Sequence, residues 1–349
     1  MGFKCGIIGF PNVGKSTLFN SLTSMNVNSK NFPFCTIEPN IGKAILFDER
    51  IELLQSIVKS KKNTYSTIDF FDIAGLIKNS YKGEGLGNKF LSQIRLSNAL
   101  LHVVLCFQNK DIFHINGNIS PINDIDTINT ELILSDLLLC EKYIKNQDEK
   151  KESCILEKCF KYLNEGNLLR KSHFSEVEKK EVQKLNFLTF KPTIYILNKN
   201  ENKNRLHNTE CKKLEKVKSY LKSEKFITIC IKKEFLDCRK NLNNQYYKNK
   251  KLNQIIYLTY KMLNLKTFFT VGEKEIKSWT IKKDCNAFQA AKKIHSDIQR
   301  GFIRAEVVSY KDYVNCKGIK NARNFGKIRL EGKNYIIKDG DIIKFLFKI

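Results

Sequence analysis

Gly9-Phe10-Pro11-Asn12-Val13-Gly14-Lys15-Ser16 decides the reading of the fold. The stretch follows the short apolar run Lys4–Gly9 (K-C-G-I-I-G) and leads into Ser16–Thr23, which reads as a helix. It satisfies G-x-x-x-x-G-K-[ST] in full, between a buried strand and a helix, and that context makes the pattern a phosphate-binding loop. Main-chain N–H groups of such a loop converge with the helix N-terminus and carry partial positive charge, so they suit a phosphate. Asn12, Val13, Gly14, Lys15, Ser16 and Thr17 are the expected nucleotide-binding residues. Lys15 should reach the β- and γ-phosphates as a point charge with a catalytic role, and Ser16 should ligate Mg²⁺.

Working outward, Ile41–Phe47, Thr67–Asp72, Leu100–Phe107, Pro192–Asn198 and Lys225–Cys230 read as strands, and Phe90–Ser97 as a helix. Alternation of this kind predicts the α/β class with a mostly parallel, doubly wound sheet, which the phosphate loop makes a P-loop fold and the D-x-x-G run below makes GTPase-like. Between about 127 and 186 the apolar spacing becomes helical, through Ile128, Leu132, Leu138 and Tyr143, then Ile155, Cys159, Phe160 and Leu163. Gly166 reads as a stop signal, and Ser175 with Glu178 as a capping box. The stretch is expected to be a helical hairpin inserted into the domain, or else ordinary surface helices. Arg239–Lys251, charged and rich in Asn, reads as a mobile surface segment, and Leu252–Leu263 as the amphipathic helix closing the domain. Short strands with a helix near Ala287–Arg300 predict a small α+β module. The domains are drawn at 1–265 and 266–349.

Asp72-Ile73-Ala74-Gly75 is D-x-x-G at a strand end. Asp72 would hold Mg²⁺ through water, and the Gly75 N–H would sense the γ-phosphate. Thr36, in F-C-T-I-E-P, is the candidate to complete the metal's coordination. Gly83-Glu84-Gly85-Leu86-Gly87 suits a segment that orders with nucleotide.

The 349 residues allow about two domains, each able to bury a core. A formal net charge of +25 points to a polyanionic partner, although Lys/Asn runs such as Lys59–Asn63, Lys199–Asn204 and Lys248–Lys251 also suit compositional drift. None of the eleven cysteines forms a C-x-x-C pair, which predicts reduced thiols in the cytoplasm and no zinc. The longest apolar run, around Ala99–Phe107, is interrupted by His102 and is far short of a membrane span. The N-terminus does not read as a signal peptide, and Gly6 stands where a myristoylation motif wants Ser or Thr.

The runs Gly9–Asn20 (G-F-P-N-V-G-K-S-T-L-F-N), Asn31–Asn40 (N-F-P-F-C-T-I-E-P-N), Asp72–Leu76 (D-I-A-G-L) and Gly83–Asn88 (G-E-G-L-G-N) resemble the YchF type of Obg-like ATPase. Lys293–Ala305 (K-I-H-S-D-I-Q-R-G-F-I-R-A) and Ile337–Asp341 (I-K-D-G-D) resemble that family's TGS domain. The resemblance spans essentially the whole chain. It implies a GTPase-like domain with an inserted helical hairpin, a C-terminal TGS domain, ATP hydrolysis and association with ribosomes. A cytoplasmic monomer is expected.

The base-reading element is Asn198-Lys199-Asn200-Glu201, with Asn198, Lys199 and Glu201 as the expected contacts. GTPases use N-K-x-D, whose Asp accepts from two guanine donors that adenine lacks. Glu is one methylene longer, about 1.5 Å of reach, and misplaces that bidentate contact. The resembling family also ends this motif in Glu and prefers ATP. It usually carries a hydrophobic residue where Lys199 stands, and Cys230-Ile231-Lys232-Lys233 departs from the small-residue partner loop. ATP is expected, with GTP as the alternative. A third reading is a nucleotide-gated ribosome or RNA adaptor with negligible turnover, because Leu76 occupies the position of the water-orienting Gln. His114 either positions the attacking water or is an ordinary surface histidine, and Arg95 is either an internal arginine finger or a helix-surface residue.

Residues 266–349 hold 19 Lys and Arg against 9 Asp and Glu, a surplus of 10. Arg300, Arg304, Lys311, Lys317, Lys320, Arg323 and Lys327 interleave with Phe302, Tyr310, Tyr313 and Phe325. This pattern suits ribosomal RNA, the aromatics stacking on bases, or else a solvated basic face over core aromatics.

Overall fold

The structure is a computed structural model that describes residues 2–24, 41–73, 86–108, 119–145, 150–201, 208–240 and 249–348. Its strands are β1 Lys4–Ile8, β2 Ile41–Ile45, β3 Asn63–Thr64, β4 Thr67–Asp72, β5 Ala99–Leu105, β6 Thr193–Asn198, β7 Lys225–Ile229, β8 Leu265–Val271, β9 Ile276–Lys282, β10 Phe302–Val308, β11 Arg329–Glu331 and β12 Ile342–Phe347. The chain forms two compact units, Met1–Ala44 with Asp69–Ile255, and Ile45–Ile68 with Ile256–Ile349.

In the first unit the strand order is β2-β4-β1-β5-β6-β7, and β1 pairs in parallel with both β4 and β5. The β5–β6 and β6–β7 pairs are also parallel. A parallel sheet is covered on both faces, so its strands read as near-continuous apolar runs. Ala99–Leu105 and Thr193–Asn198 are accordingly buried along their whole length. The register sets Ile7 beside Asp72 and Ile8 beside His102, which brings the C-terminal ends of β1 and β4 together at the phosphate loop.

His102 is the polar exception in β5. It is buried, its ring 5.1 Å from that of Tyr195. Burial, with Arg170 and Lys15 nearby, lowers its pKa to about 3. A histidine held below its unfolded value stabilises fully above about pH 6.5, and that stability is lost as pH falls toward about 3. The expected loss is about 1.4 kcal/mol per pH unit in that window. Urea unfolding of the wild type and His102→Leu between pH 7 and pH 4 checks this. The variant should lose stability less steeply, and equal slopes would refute the assignment.

The helical insertion begins earlier than the expected 127. Its first helix is Pro121–Lys145, with proline at the first position, where the missing N–H costs nothing. Lys150–Asn164 packs against it, and Ile133, Cys140, Leu156, Cys159, Leu163 and Phe174 share one core. The capping box forms: Ser175 Oγ accepts from the Glu178 N–H at 3.3 Å, and Glu178 Oε2 accepts from the Ser175 N–H at 2.6 Å.

Arg239–Lys251 is structured at both ends. The helix Ile231–Lys240 runs through Arg239, and buried Asn249 caps the helix Lys250–Met262 by accepting from the Lys251 and Leu252 N–H groups at 3.0 Å each. Residues 241–248 lie outside the described ones.

The second unit has the strand order β11-β10-β12-β8-β9-β3. Its β10–β11, β10–β12 and β8–β9 pairs are antiparallel, whereas β12–β8 and β3–β9 are parallel. The expected boundary at 265/266 omitted a part of this unit. Residues 45–68, read as first-domain chain, supply β3 and the helix Arg50–Val58. Ile51 and Leu54 enter the core with Phe269, Ile276, Val308 and Ile342. Arg50 locks the helix in place through ion pairs to Asp48 and Asp339, each at 2.7 Å, and lies 5.0 Å from the Phe269 ring centroid. The helix expected over Ala287–Arg300 is two, Ala287–Ile294 and Ser296–Arg300, because His295 between them is extended.

Candidate functional site

The loop from Gly9 to Gly14 is built around two positions only glycine fills. Gly9 has φ +148°, and a Cβ there would lie 2.5 Å from the Val103 carbonyl oxygen. Gly14 has φ +103°, and a Cβ would meet Asn198 Nδ2 at 3.1 Å. Asn12 is also left-handed, at φ +63°, a conformation Asn tolerates better than most residues. The helix Lys15–Ser24 then starts directly at the loop's end, with the Leu18 N–H donating to the Gly14 carbonyl.

Lys15 is buried, and its Nζ donates to the Phe10 carbonyl at 2.7 Å, folding the side chain back over its own loop. Burial lowers its pKa to about 8, and the charge of Asp72 opposes that shift. Asp72 ends β4 beside Ile7, and its Oδ1 is buried with no hydrogen-bond partner among the described residues. An unpaired buried carboxylate oxygen is costly unless something arrives to satisfy it. A cation or its bound water meets that need, and Ser16, exposed on the first turn of the helix, provides a second oxygen. The donor set therefore fits Mg²⁺. Thr36, Gly75 and His114, together with Leu76, lie outside the described residues.

Asn198 turns out to be a tether. Its Nδ2 donates to the Val13 carbonyl at 2.9 Å, and its Oδ1 accepts from the Ile231 N–H at 3.2 Å. One side chain thus joins the phosphate loop, the end of β6 and the helix Ile231–Lys240. That helix starts one residue after buried Cys230, so no separate partner loop exists there. Lys199 and Glu201 are exposed at the same strand end, the Lys199 N–H donating to the Ile229 carbonyl at 2.9 Å. The structure brings together Asn12–Thr17, Asp72 and Asn198, at the C-terminal ends of β1, β4 and β6.

Arg95 is neither a free finger nor a plain surface residue. Its guanidinium donates to Ser135 Oγ at 3.0 Å and pairs with Asp136 at 3.5 Å. Leu86 and Gly87, read as part of a flexible stretch, open the helix Leu86–Leu96 that carries it. Sequence reasoning also missed Lys191, which is buried and donates to the carbonyls of Arg95 (3.0 Å) and Ser97 (2.6 Å) and to Asn186 Oδ1 (2.8 Å). A lysine just before the apolar run of β6 was the only signal available for it.

In the second unit the expected interleaving of cations and aromatics is largely overturned. Phe302 and Tyr313 are core residues, and Tyr310 packs against the core, because strand and helix periodicity turns them inward. Phe325 alone of the four is exposed, at 69%. Arg300, Arg304, Lys311, Lys317, Lys320, Arg323 and Lys327 are all exposed.

Among the described residues, no helix is long and apolar enough to cross a membrane. A family model described as "50S ribosome-binding GTPase" matches residues 4–140, and the model "YchF-GTPase_C: Protein of unknown function (DUF933)" matches residues 265–348. Over its whole length the chain is 43% identical to the full-length "Ribosome-binding ATPase YchF" of Escherichia coli O157:H7. It is 46% identical, again over both full lengths, to the protein of that name in Buchnera aphidicola subsp. Acyrthosiphon pisum. A solved structure titled "Structure of the Schizosaccharomyces pombe YchF GTPase" matches with a TM-score of 0.84 and 33% identity, covering 99% of this chain and 98% of that one.

Proposed function

The chain belongs to the YchF family, and from that premise we propose that it is a magnesium-dependent ATPase that associates with ribosomes and acts as a nucleotide-controlled switch linked to translation. The observation that carries the reading is a buried Lys15 within the electrostatic reach of Asp72, whose Oδ1 is unsatisfied, beside a phosphate loop. A triphosphate gives Lys15 acceptors better than the Phe10 carbonyl, and a magnesium ion satisfies Asp72.

Asn12, Val13, Gly14, Lys15, Ser16 and Thr17 bind the phosphates, and the Gly75 N–H reports on the γ-phosphate. Ser16, Thr36 and, through water, Asp72 hold Mg²⁺. When bound, the metal neutralises charge that builds on the β- and γ-phosphate oxygens. Lys15 adds a fixed positive charge to the same oxygens. Asn198 maintains the loop's shape by bridging Val13 and Ile231. His114 is the proposed group that orients water, in place of the side chain that Leu76 cannot supply. The 266–349 region is a TGS domain whose surplus of 10 cations meets ribosomal RNA. The protein is cytoplasmic and monomeric.

Glu201 supports ATP, because its longer side chain misplaces the guanine contact. Lys199, as in N-K-x-D, supports GTP as the second reading. Competition binding at equal magnesium separates them. ATP should displace a fluorescent nucleotide at lower concentration than GTP, and Glu201→Asp should shift the ratio toward GTP by about 10-fold or more. Tighter GTP binding by the wild type would overturn the assignment. Phosphate release over many turnovers distinguishes the enzyme from a nucleotide-gated adaptor.

A further inference from the structure

We propose that Phe325 is a stacking platform for an unpaired RNA base, with Lys320, Arg323 and Lys327 contacting the flanking phosphates. The proposal rests on the ribosome association above and names the element of the second unit that would touch RNA.

Phe325 follows the helix Ile319–Asn324 and precedes Gly326, whose φ of +63° reverses the chain. The backbone there is pinned. The Phe325 N–H donates to the Asn321 carbonyl at 2.9 Å, Gly326 to Arg323 at 3.0 Å, and Lys327 to Ala322 at 2.8 Å. Ala322, fully buried, anchors the helix in the core with Tyr313 and Ile342. A rigid turn therefore holds a ring that is 69% exposed. Burying a phenylalanine stabilises a fold, and this one contributes little of that kind.

Along the chain, the charge around it is one-sided. From Tyr313 to Leu330 the chain has no Asp or Glu, but it carries Lys317, Lys320, Arg323, Lys327 and Arg329. Arg329 is held by Glu331 at 3.1 Å and by the Tyr335 hydroxyl. Arg323 touches Glu306 at 3.2 Å, yet its side chain stays 63% exposed. Lys320 and Lys327 are exposed on either side of the ring in sequence. Single-stranded RNA alternates a planar base with a phosphate at every nucleotide, and a ring between cations matches that alternation. An acidic protein surface would use the cations but has no need of a displayed aromatic plane.

The test is fluorescence anisotropy with a labelled, unstructured RNA oligonucleotide, alongside co-sedimentation with intact ribosomes. Phe325→Ala should weaken binding to the oligonucleotide by about 5- to 150-fold with an unchanged salt slope. Phe325→Trp should retain binding, and Lys320→Ala should lower the salt slope by about 0.7. Thermal unfolding checks that each variant is folded. Equal RNA affinity of Phe325→Ala and the wild type, with ribosome binding intact, overturns this proposal and leaves the functional reading standing. A loss seen on ribosomes but not on the oligonucleotide also overturns it, because the ring then meets protein. Failure of the wild type itself to sediment with ribosomes sinks the ribosome reading.

Discussion

Lys15→Ala should lower the affinity for ATP by about three orders of magnitude, because charge-assisted hydrogen bonds to two phosphates contribute roughly 4 kcal/mol together. The unbound chain should not lose thermal stability. Its Lys15 ammonium is already strained by burial, as its pKa of about 8 records. Its ammonium donates to the Phe10 carbonyl, which in the variant can turn to the space vacated by the side chain. Removing a desolvated charge offsets the loss of that bond. Titration with a fluorescent ATP analogue, beside a thermal melt, checks both halves. Near-normal affinity would remove the phosphate site on which the functional reading stands. A melting point lowered by many degrees would instead make Lys15 a structural residue.

Asp136→Ala should be the most destabilising of the simple substitutions in the first unit, at about 3–5 kcal/mol. Asp136 is fully buried on the helix Pro121–Lys145. It accepts from the Leu188 N–H at 3.0 Å, the Thr189 N–H at 2.7 Å and Thr189 Oγ1 at 2.8 Å, and pairs with Arg95. Burial raises its pKa, and those four groups oppose the shift without reversing it. Alanine would leave buried donors without acceptors, each costing about 1–3 kcal/mol, whatever the charge state. The melting point of the first unit should fall by about 10 °C, and Asp136→Asn, which keeps one acceptor, should fall by less. An unchanged melt of Asp136→Ala would show that the donors find water instead.

Asp136 also shows what the sequence did not disclose. An aspartate among helix-spaced apolar residues looks like a solvated face. Only the folded chain shows that it, Arg95 and Lys191 tie the helix Leu86–Leu96 to the insertion and to the segment before β6. Phe302 and Tyr313 err in the opposite direction. Their proximity to cations in the sequence suggested a nucleic-acid face, whereas strand and helix periodicity carried them into the core.

Local chemistry was enough for the apolar strands β1, β5 and β6, the phosphate loop, the capping box at Ser175 and the place of Asp72 at a strand end. Each depends on residues a few positions apart, whose conformational and hydrogen-bonding needs are met within one turn or one strand. The tertiary structure decided what depends on long-range contact. The two-residue strand β3 pairs with β9, more than 200 positions away, and takes residues 45–68 into the second unit. It also made Asn198 a tether between Val13 and Ile231. A short strand or a single amide carries too little local preference to announce its partner, and the packing of distant chain supplies the missing free energy.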